Sequence, residues 1–339
     1  MGSKNIGIFV DNYQKRIIME ENLKITNAHI IEFVDRYAID ARLLGHRIRI
    51  CISDDSFLEI TIPSLVVRNG SPEIKIPGIL KKYKNDIGEW GWVKSYDNDR
   101  IDNLEKMDVW ISAVLVECFS NENGNTPNSS IIQAEAKKVL HSLQIINPDA
   151  IQISSNQKRD DLCNVRISVS ISEEGESESL IILPPAIFDV RKEKLSISDI
   201  KSAFHNAHNS ISAPYEMLNN ARINLSNDDT RATVLNCATA IEVALKRNLS
   251  SYLDDNNIPQ PLEDYVLKQA DGFAKLIKLL KEFGINLTGL PNVQESVINI
   301  RNRVIHGGYV PSNKESQVAY GKTREALRVL NVPMFEINA

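Results

Sequence analysis

One short stretch decides the fold of the C-terminal part of this chain: FAKLIKLLKEF, residues 273–283. Its apolar side chains recur every three or four residues, at Phe273, Leu276, Ile277, Leu280 and Phe283. The lysines between them fall on the other side of the same helix. This spacing is typical of an amphipathic α-helix that packs one face against a core. The stretch therefore predicts a helical domain around it.

Helical spacing continues on both sides of this stretch, with short loops between the segments. Five helices are predicted: Ser196 to Asn224, Thr230 to Leu253, Leu262 to Phe283, Val293 to Val304 and Lys314 to Asn331. Because short loops join them, successive helices are expected to pack against one another. The sequence therefore predicts an all-α bundle over residues 196–339.

The part before Pro184-Pro185 has a different pattern, of short β-branched runs separated by turn residues. Strands are predicted at Ile6 to Val10, Arg47 to Ser53, Phe57 to Val67, Val109 to Cys118 and Val165 to Ile171, with a hairpin around Glu173 to Glu176. One helix begins at Ser129 or Ser130 and ends before Asn147-Pro148. An antiparallel sandwich and an open sheet with a packed helix both fit this pattern.

The predicted fold class is α+β. A β-rich, sandwich-like domain with one packed helix spans residues 1–195, and the all-α bundle follows. A chain of 339 residues is long enough for two such domains, each with its own core.

Composition excludes several classes of protein. The formal net charge of -5 is too mild for a chain that coats nucleic acid, so any contact with nucleic acid is expected to be local. The 4 cysteines are widely spaced and form no C-x-x-C pair, which favours reduced, buried thiols. Neither a signal-peptide stretch nor an apolar run of about 20 residues is present, so a soluble cytoplasmic protein without membrane association is expected.

The residues that carry chemistry lie near the end of the fourth predicted helix. Arg301 and Asn302 are followed by His306 and then by Gly307-Gly308, and the glycines predict the end of the helix. A histidine can take the proton of a ribose 2′-hydroxyl or protonate the departing oxygen. An arginine binds phosphate oxygens and stabilises the transition state, while Asn302 can orient either group. Such cleavage needs neither metal nor cofactor, because the 2′-hydroxyl is the nucleophile.

This segment resembles the R-N-x-x-x-H signature of HEPN domains, many of which are metal-independent ribonucleases of bacterial toxin and antiviral systems. The resemblance covers Ser196 to Asn331. It implies an endoribonuclease that cuts RNA in anti-phage defence or toxin-mediated growth arrest. It also implies a homodimer in which two copies of Arg301 and His306 face one cleft. The N-terminal domain would then bind a regulatory or phage-derived ligand.

Three further residues are predicted to support the site. Glu242 lies on an otherwise apolar stripe of the second predicted helix, where a carboxylate needs a partner, and Arg301 is the proposed one. The alternative is that Glu242 lies at the edge of the stripe and meets Lys246 in solvent. Arg303 is predicted to be a supporting phosphate contact.

Other readings of the motif stay open. Arg301 and Arg303 could form a basic helix end that the helix dipole favours, with His306 as its cap. A HEPN-like bundle could also serve only in dimerisation, or bind a nucleotide without breaking a bond. Expression of the intact chain and of His306→Ala separates these alternatives from a nuclease.

Two further clusters have simpler explanations. His205 and His208 are three residues apart, yet no further ligand follows at a metal-binding spacing, so a solvated helix face is favoured. Lys81-Lys82-Tyr83-Lys84, Trp90 and Trp92 mix basic and aromatic residues as single-strand binding surfaces do. In a β-rich domain they are more often a loop with packed tryptophans.

Overall fold

The computed structural model describes residues 24–53, 56–68, 71–75, 91–95, 107–120, 129–152, 163–170, 193–270 and 272–336. The chain forms two compact units, Met1–His208 and Asn209–Ala339. The first contains an antiparallel sheet with helices and the second is helical, so the fold is α+β. Three predicted features lie outside the described residues. They are the strand Ile6 to Val10, the hairpin around Glu173 to Glu176, and the basic segment Lys81 to Lys84 with Trp90.

Two long antiparallel strands form the centre of the N-terminal sheet, β1 (Lys24–Ile39) and β7 (Met107–Ser120). Shorter strands flank them in a seven-stranded sheet: β2 (Arg47–Ser53), β3 (Ser56–Thr61), β6 (Gly91–Ser95), β8 (Ile151–Gln152) and β9 (Cys163–Ser170). Strands β3 and β6 pair with β7, whereas β8 and β9 pair with β1. A separate hairpin joins β4 (Ser64–Arg68) to β5 (Ser71–Lys75).

Alternation of side chains places one face of this sheet in the core. In the β1–β7 register Ile31 lies opposite Val114 and His29 lies opposite Val116, and all four residues are buried. The register shifts between Glu32 and Tyr37, as at a β-bulge, which increases strand twist. Strand β1 was not among the predicted strands.

Two helices cover the core face of the sheet, α1 (Ser129–Ile146) and α2 (Ile197–Asn206). They contribute Ile132, Val139, Leu140, Leu143, Ile200 and Ala203 to one core with the strands. The described residues therefore form an open antiparallel sheet with two packed helices, whereas the predicted domain was sandwich-like with one packed helix. The helix predicted from Ser129 or Ser130 to just before Asn147-Pro148 is confirmed.

The unit boundary differs from the predicted one because α2 belongs to the N-terminal unit. Leu195 N–H donates to Ala38 O at 2.8 Å, and Asp40 N–H donates to Leu195 O at 3.0 Å. Lys194 forms a 2.8 Å ion pair with buried Asp108. These contacts hold the start of α2 against the sheet, so the division falls after His208 rather than after residue 195.

The C-terminal unit contains six helices among its described residues: α3 (Ala213–Ser226), α4 (Thr230–Asp255), α5 (Gln260–Gln269), α6 (Phe273–Glu282), α7 (Asn299–Gly307) and α8 (Asn313–Val329). Two short strands, β10 (Ser210–Ile211) and β11 (Phe335–Glu336), pair near its ends. The predicted helix Leu262 to Phe283 is divided into α5 and α6 at Gly272, whose φ of 86° is not helical. Likewise, β10 separates α2 from α3 within predicted Ser196 to Asn224.

Helix α4 is the centre of the bundle and packs against α3, α5, α6, α7 and α8. It buries large side chains such as Leu245, Leu249 and Leu253, together with small ones such as Ala240 and Ala244. Alanines let neighbouring helices approach closely, and the leucines fill the space that remains.

The cysteines whose burial the structure describes agree with the prediction of buried thiols. Cys118 and Cys237 are buried, and burial raises the pKa of each thiol to about 12. Both therefore stay protonated and unreactive near neutral pH. None of the helices in the described part of the chain has the length and apolarity needed to cross a bilayer.

Candidate functional site

Helix α7 carries the predicted motif and begins after an irregular turn. Residues Gln294–Ile298 form a π-helical turn, a feature that is frequent at functional sites. Val297 and Ile298 of this turn and Ile300 of α7 are buried, which fixes the start of the helix in the bundle. The helix ends at the predicted glycines, because Gly308 takes a left-handed φ of 62° and its N–H donates to Arg303 O.

The structure brings two of the three predicted catalytic residues into contact. Arg301 Nη1 donates to Asn302 Oδ1 at 3.1 Å. His306 lies four residues after Asn302, so both lie on one exposed helix face, one turn apart. Within the described residues, the His306 side chain makes no hydrogen bond and no ion pair. Its imidazole is thus open to a ligand.

Arg301 and His306 do not share a face within one chain. The helix is regular up to Gly307, so a loosened last turn does not bring them together. Five residues of regular helix correspond to a rotation of about 140° between the two side chains. Arg301 is half-buried and His306 is exposed. One copy of α7 therefore presents its cation and its imidazole in different directions.

Arg303 has a different environment from Arg301. Its Nη2 forms a 3.0 Å ion pair with Glu315 Oε1, and its guanidinium lies 4.1 Å from the centre of the Tyr309 ring. Tyr309 also donates its hydroxyl hydrogen to Glu315, at 2.9 Å to Oε2. Arg303 thus joins the end of α7 to the start of α8. As the predicted phosphate contact, it would have to exchange these partners for substrate.

Glu315 takes part in most of these interactions and caps the start of α8. The Ser312 backbone N–H donates to its carboxylate at 2.8 Å, and this bond is the main cause that lowers the pKa of Glu315 to about 2. Hydrogen bonds from the Ser312 hydroxyl, Tyr309 and Arg303 add to it. In return, Ser312 Oγ accepts the Glu315 N–H at 3.2 Å, which completes a capping box.

Helix α4 holds the loop between α7 and α8 from the other side. Arg231 donates through Nε to Tyr309 O at 3.2 Å and through Nη2 to Gly308 O. The loop that follows His306 is therefore tied to both neighbouring helices. Sequence reasoning missed Arg231, Tyr309 and Glu315. The S-x-x-E spacing of Ser312 and Glu315 was a usable signal, whereas nothing local indicated Arg231.

The predicted supporting residues of α4 lie apart from these contacts. Glu242 is half-buried and forms no ion pair with Arg301 or with Lys246. Because its carboxylate keeps access to water, it can stay hydrated without a partner. Lys246 is exposed and lines a surface depression with Asp264, Leu267 and Lys268, mostly residues of α5.

The two histidines considered for metal binding lie in or beside α2. His208 Nε2 is 3.5 Å from Glu135 Oε2 of α1, and His205 is exposed. In the described ranges, no group of three or more His, Cys, Asp or Glu residues is placed to hold a metal ion.

Chemically, α7 offers a hydrogen-bonded Arg–Asn pair and an exposed imidazole at a fixed helix end. An arginine fork can bind phosphate and an imidazole can transfer a proton. Arg303 is paired with the Glu315 carboxylate, whereas the guanidinium of Arg301 bonds the neutral side chain of Asn302. Searches against protein-family models, curated proteins and solved structures found no match to this chain.

Proposed function

We propose that this chain is a HEPN-like, metal-independent endoribonuclease whose catalytic residues are Arg301, Asn302 and His306. The observation that carries the proposal is the helix end itself. An Arg–Asn pair joined at 3.1 Å and an exposed imidazole lie within six residues, just before a tightly held loop. In this reaction the 2′-hydroxyl attacks the adjacent phosphorus, and the 5′-oxygen departs with a proton. The products are a 2′,3′-cyclic phosphate and a 5′-hydroxyl.

Each residue has a defined task. His306 takes the 2′-hydroxyl proton or donates one to the departing 5′-oxygen. Arg301 binds the phosphate oxygens and stabilises the negative charge that develops on them. Asn302 orients the guanidinium through its side-chain oxygen, and its amide N–H groups remain available to substrate.

We further propose that two copies of the chain form one active site. A single helix directs Arg301 and His306 about 140° apart, whereas a two-fold axis can place the arginine of one copy beside the histidine of the other. Exposed apolar side chains on and near α7 favour such contact: Ile305 (48% exposed), Val310 (60%) and Val318 (44%). One histidine would then act as base and the other as acid.

These same apolar side chains support a second candidate, a non-catalytic dimerisation module. In that case the bundle would pair without cutting RNA, and substitution of His306 would leave both pairing and RNA unchanged.

The test is cleavage of a defined single-stranded RNA by the purified full chain and by His306→Ala. Wild type should yield fragments ending in 2′,3′-cyclic phosphate in the presence of a chelator. His306→Ala should cleave about 10²–10⁴-fold more slowly, the usual contribution of a general acid or base. His205→Ala is the matched control, because His205 is also exposed but lies in the other unit.

Two results would contradict the nuclease. One is equal cleavage by wild type and His306→Ala with unchanged circular dichroism. The other is cleavage of an RNA in which the attacking ribose lacks its 2′-hydroxyl. Sedimentation of both proteins reports separately on pairing, so the dimerisation module is recognised by pairing without cleavage.

The biological setting is also part of the proposal. The resemblance to HEPN domains favours a cytoplasmic toxin or anti-phage nuclease that arrests growth when triggered. The N-terminal unit is then the natural place for a ligand that restrains or releases the activity.

A further inference from the structure

The core of the N-terminal unit contains a cavity of about 140 Å³. The sheet forms one wall and helices α1 and α2 form the other. Side chains from both walls line it, among them Phe33, Val116, Val139, Leu143 and Phe204. Protein interiors are close-packed and few voids exceed the size of a water molecule. A space of this size is therefore unusual inside a small core.

The lining is apolar almost throughout. Among the described residues around the cavity, Glu135 and His208 are the only ones with carboxylate or imidazole groups, and they lie 3.5 Å from each other. Lys138 also pairs with Glu135, at 2.8 Å. The Glu135 carboxylate thus has both Lys138 and His208 as neighbours. A phosphate, sugar or carboxylate inside the cavity would lose its hydration without gaining comparable partners.

The cavity approaches the surface at one end of α1. Ile131 lines it and is 48% exposed, and Glu135 follows one helical turn later. His208 lies just after α2 and lines the same end. Ile131 and His208 are thus lining residues that are also exposed at the surface.

We propose that the N-terminal unit binds a small, uncharged apolar molecule in this cavity, of roughly the size of benzene or indole. Apolar cavities of about 150 Å³ in protein cores stay dry and take up benzene or xenon. The volume of the cavity limits the size of the ligand, and the apolar lining favours a ligand without charge. This inference goes beyond RNA cleavage, and it holds whether or not the bundle is a nuclease.

The experiment titrates the purified full chain with benzene and with indole, using NMR line positions and the melting temperature Tm. Saturable binding and a rising Tm are expected, because a ligand that binds only the folded state stabilises it. ATP serves as a charged probe and should produce neither effect in the N-terminal unit.

Two phenylalanine substitutions on α1 provide a matched pair. Ala136 lines the cavity and Ala134 is exposed on the same helix. Ala136→Phe should fill the space and abolish benzene binding, whereas Ala134→Phe should bind as wild type does. Ile132→Ala enlarges the cavity and should shift preference from benzene towards indole, which keeps the test decisive if Ala136→Phe does not fold.

The proposal is overturned if wild type shows no saturable binding of either probe. It is also overturned if folded Ala136→Phe binds benzene as well as Ala134→Phe does, or if Ile132→Ala leaves the preference unchanged.

Discussion

The two units differ in how their cores are packed and in where their charged side chains lie. The N-terminal unit leaves a cavity in its core and pairs buried Glu59 (1% exposed) with Arg47 at 2.9 Å and with Arg49 at 2.7 Å. The C-terminal unit buries three leucines of α4 completely or nearly so and presents Arg301, Asn302 and His306 at its surface. Under the two proposals this difference corresponds to the size of the ligand, because a small apolar molecule can enter a core, whereas a polymer such as RNA contacts only the surface.

The largest predicted effect on RNA cleavage distinguishes Arg301→Ala from Arg303→Ala. Arg301→Ala should slow RNA cleavage by about 10²–10³-fold, the usual cost of losing one group that stabilises developing charge. Its Tm should hardly change, because the side chain of Arg301 bonds only the neighbouring Asn302 among the residues that the structure describes. Arg303→Ala should lower Tm and reduce cleavage less. Single-turnover kinetics and thermal unfolding measure the two effects, and the reverse pattern would exchange the roles of the two arginines.

Core packing gives the next largest effect. Leu249 of α4 is fully buried in the core of the bundle, and Leu249→Ala should destabilise the bundle by about 3 kcal/mol. Leu140 of α1 lines the cavity and already lacks neighbours on that side, so Leu140→Ala should cost about 2 kcal/mol. Native-state hydrogen exchange reports the loss for each unit. Equal losses would mean that the cavity does not loosen the N-terminal core.

A smaller effect concerns the loop that holds the site. Glu315→Ala should lower the free energy of unfolding by about 1 kcal/mol at pH 7, a typical value for a helix cap. Because the pKa of Glu315 falls from 4.5 to about 2 on folding, its charge-dependent contribution is complete above pH 4.5 and is lost as the pH falls towards about 2. Denaturant titrations at several pH values check this. Glu325→Ala, on the exposed side of the same helix, is the control and should change stability little.

The smallest predicted effect is a gain in stability rather than a loss. Glu117 lies directly opposite Glu59 in the sheet, and burial, with the nearby Glu59 charge, raises the pKa of Glu117. A raised carboxyl pKa destabilises the fold as the pH rises above 4.5. Glu117→Gln should therefore stabilise the chain by about 0.5 kcal/mol at pH 7 and not at pH values well below 4.5. Thermal unfolding measures the difference, with exposed Glu193→Gln as control. A loss of stability at pH 7 would show that the Glu117 charge is favourable.

Local signals predicted many elements well. The β2 bounds Arg47–Ser53, the helix over Ser129–Ile146 and the helix end at Gly308 agree with the structure. Periodicity and capping act within a few residues, so a sequence pattern contains them. Strand β1 was missed. Its pairing partners β7, β8 and β9 lie far along the chain from it. Its regularity depends on those partners rather than on its own residues.

The candidate site was predictable in part for the same reason. Arg301, Asn302 and His306 are close in sequence, so their spacing alone places them at one helix end. The expected Glu242–Arg301 pair is not formed, and the contacts of Arg303 were not foreseen. Both depend on how α4, α7 and α8 pack, which no local pattern specifies.

By itself, the sequence determined the α+β order, the helical character of the second half, and the grouping of Arg301, Asn302 and His306 before a glycine stop. Tertiary structure alone decided that α2 joins the N-terminal sheet, that Arg303 is held while His306 is left open, and that a cavity remains between sheet and helices. Periodicity and capping are short-range and can be read along the chain. Partner choice and empty space arise only when distant segments pack together.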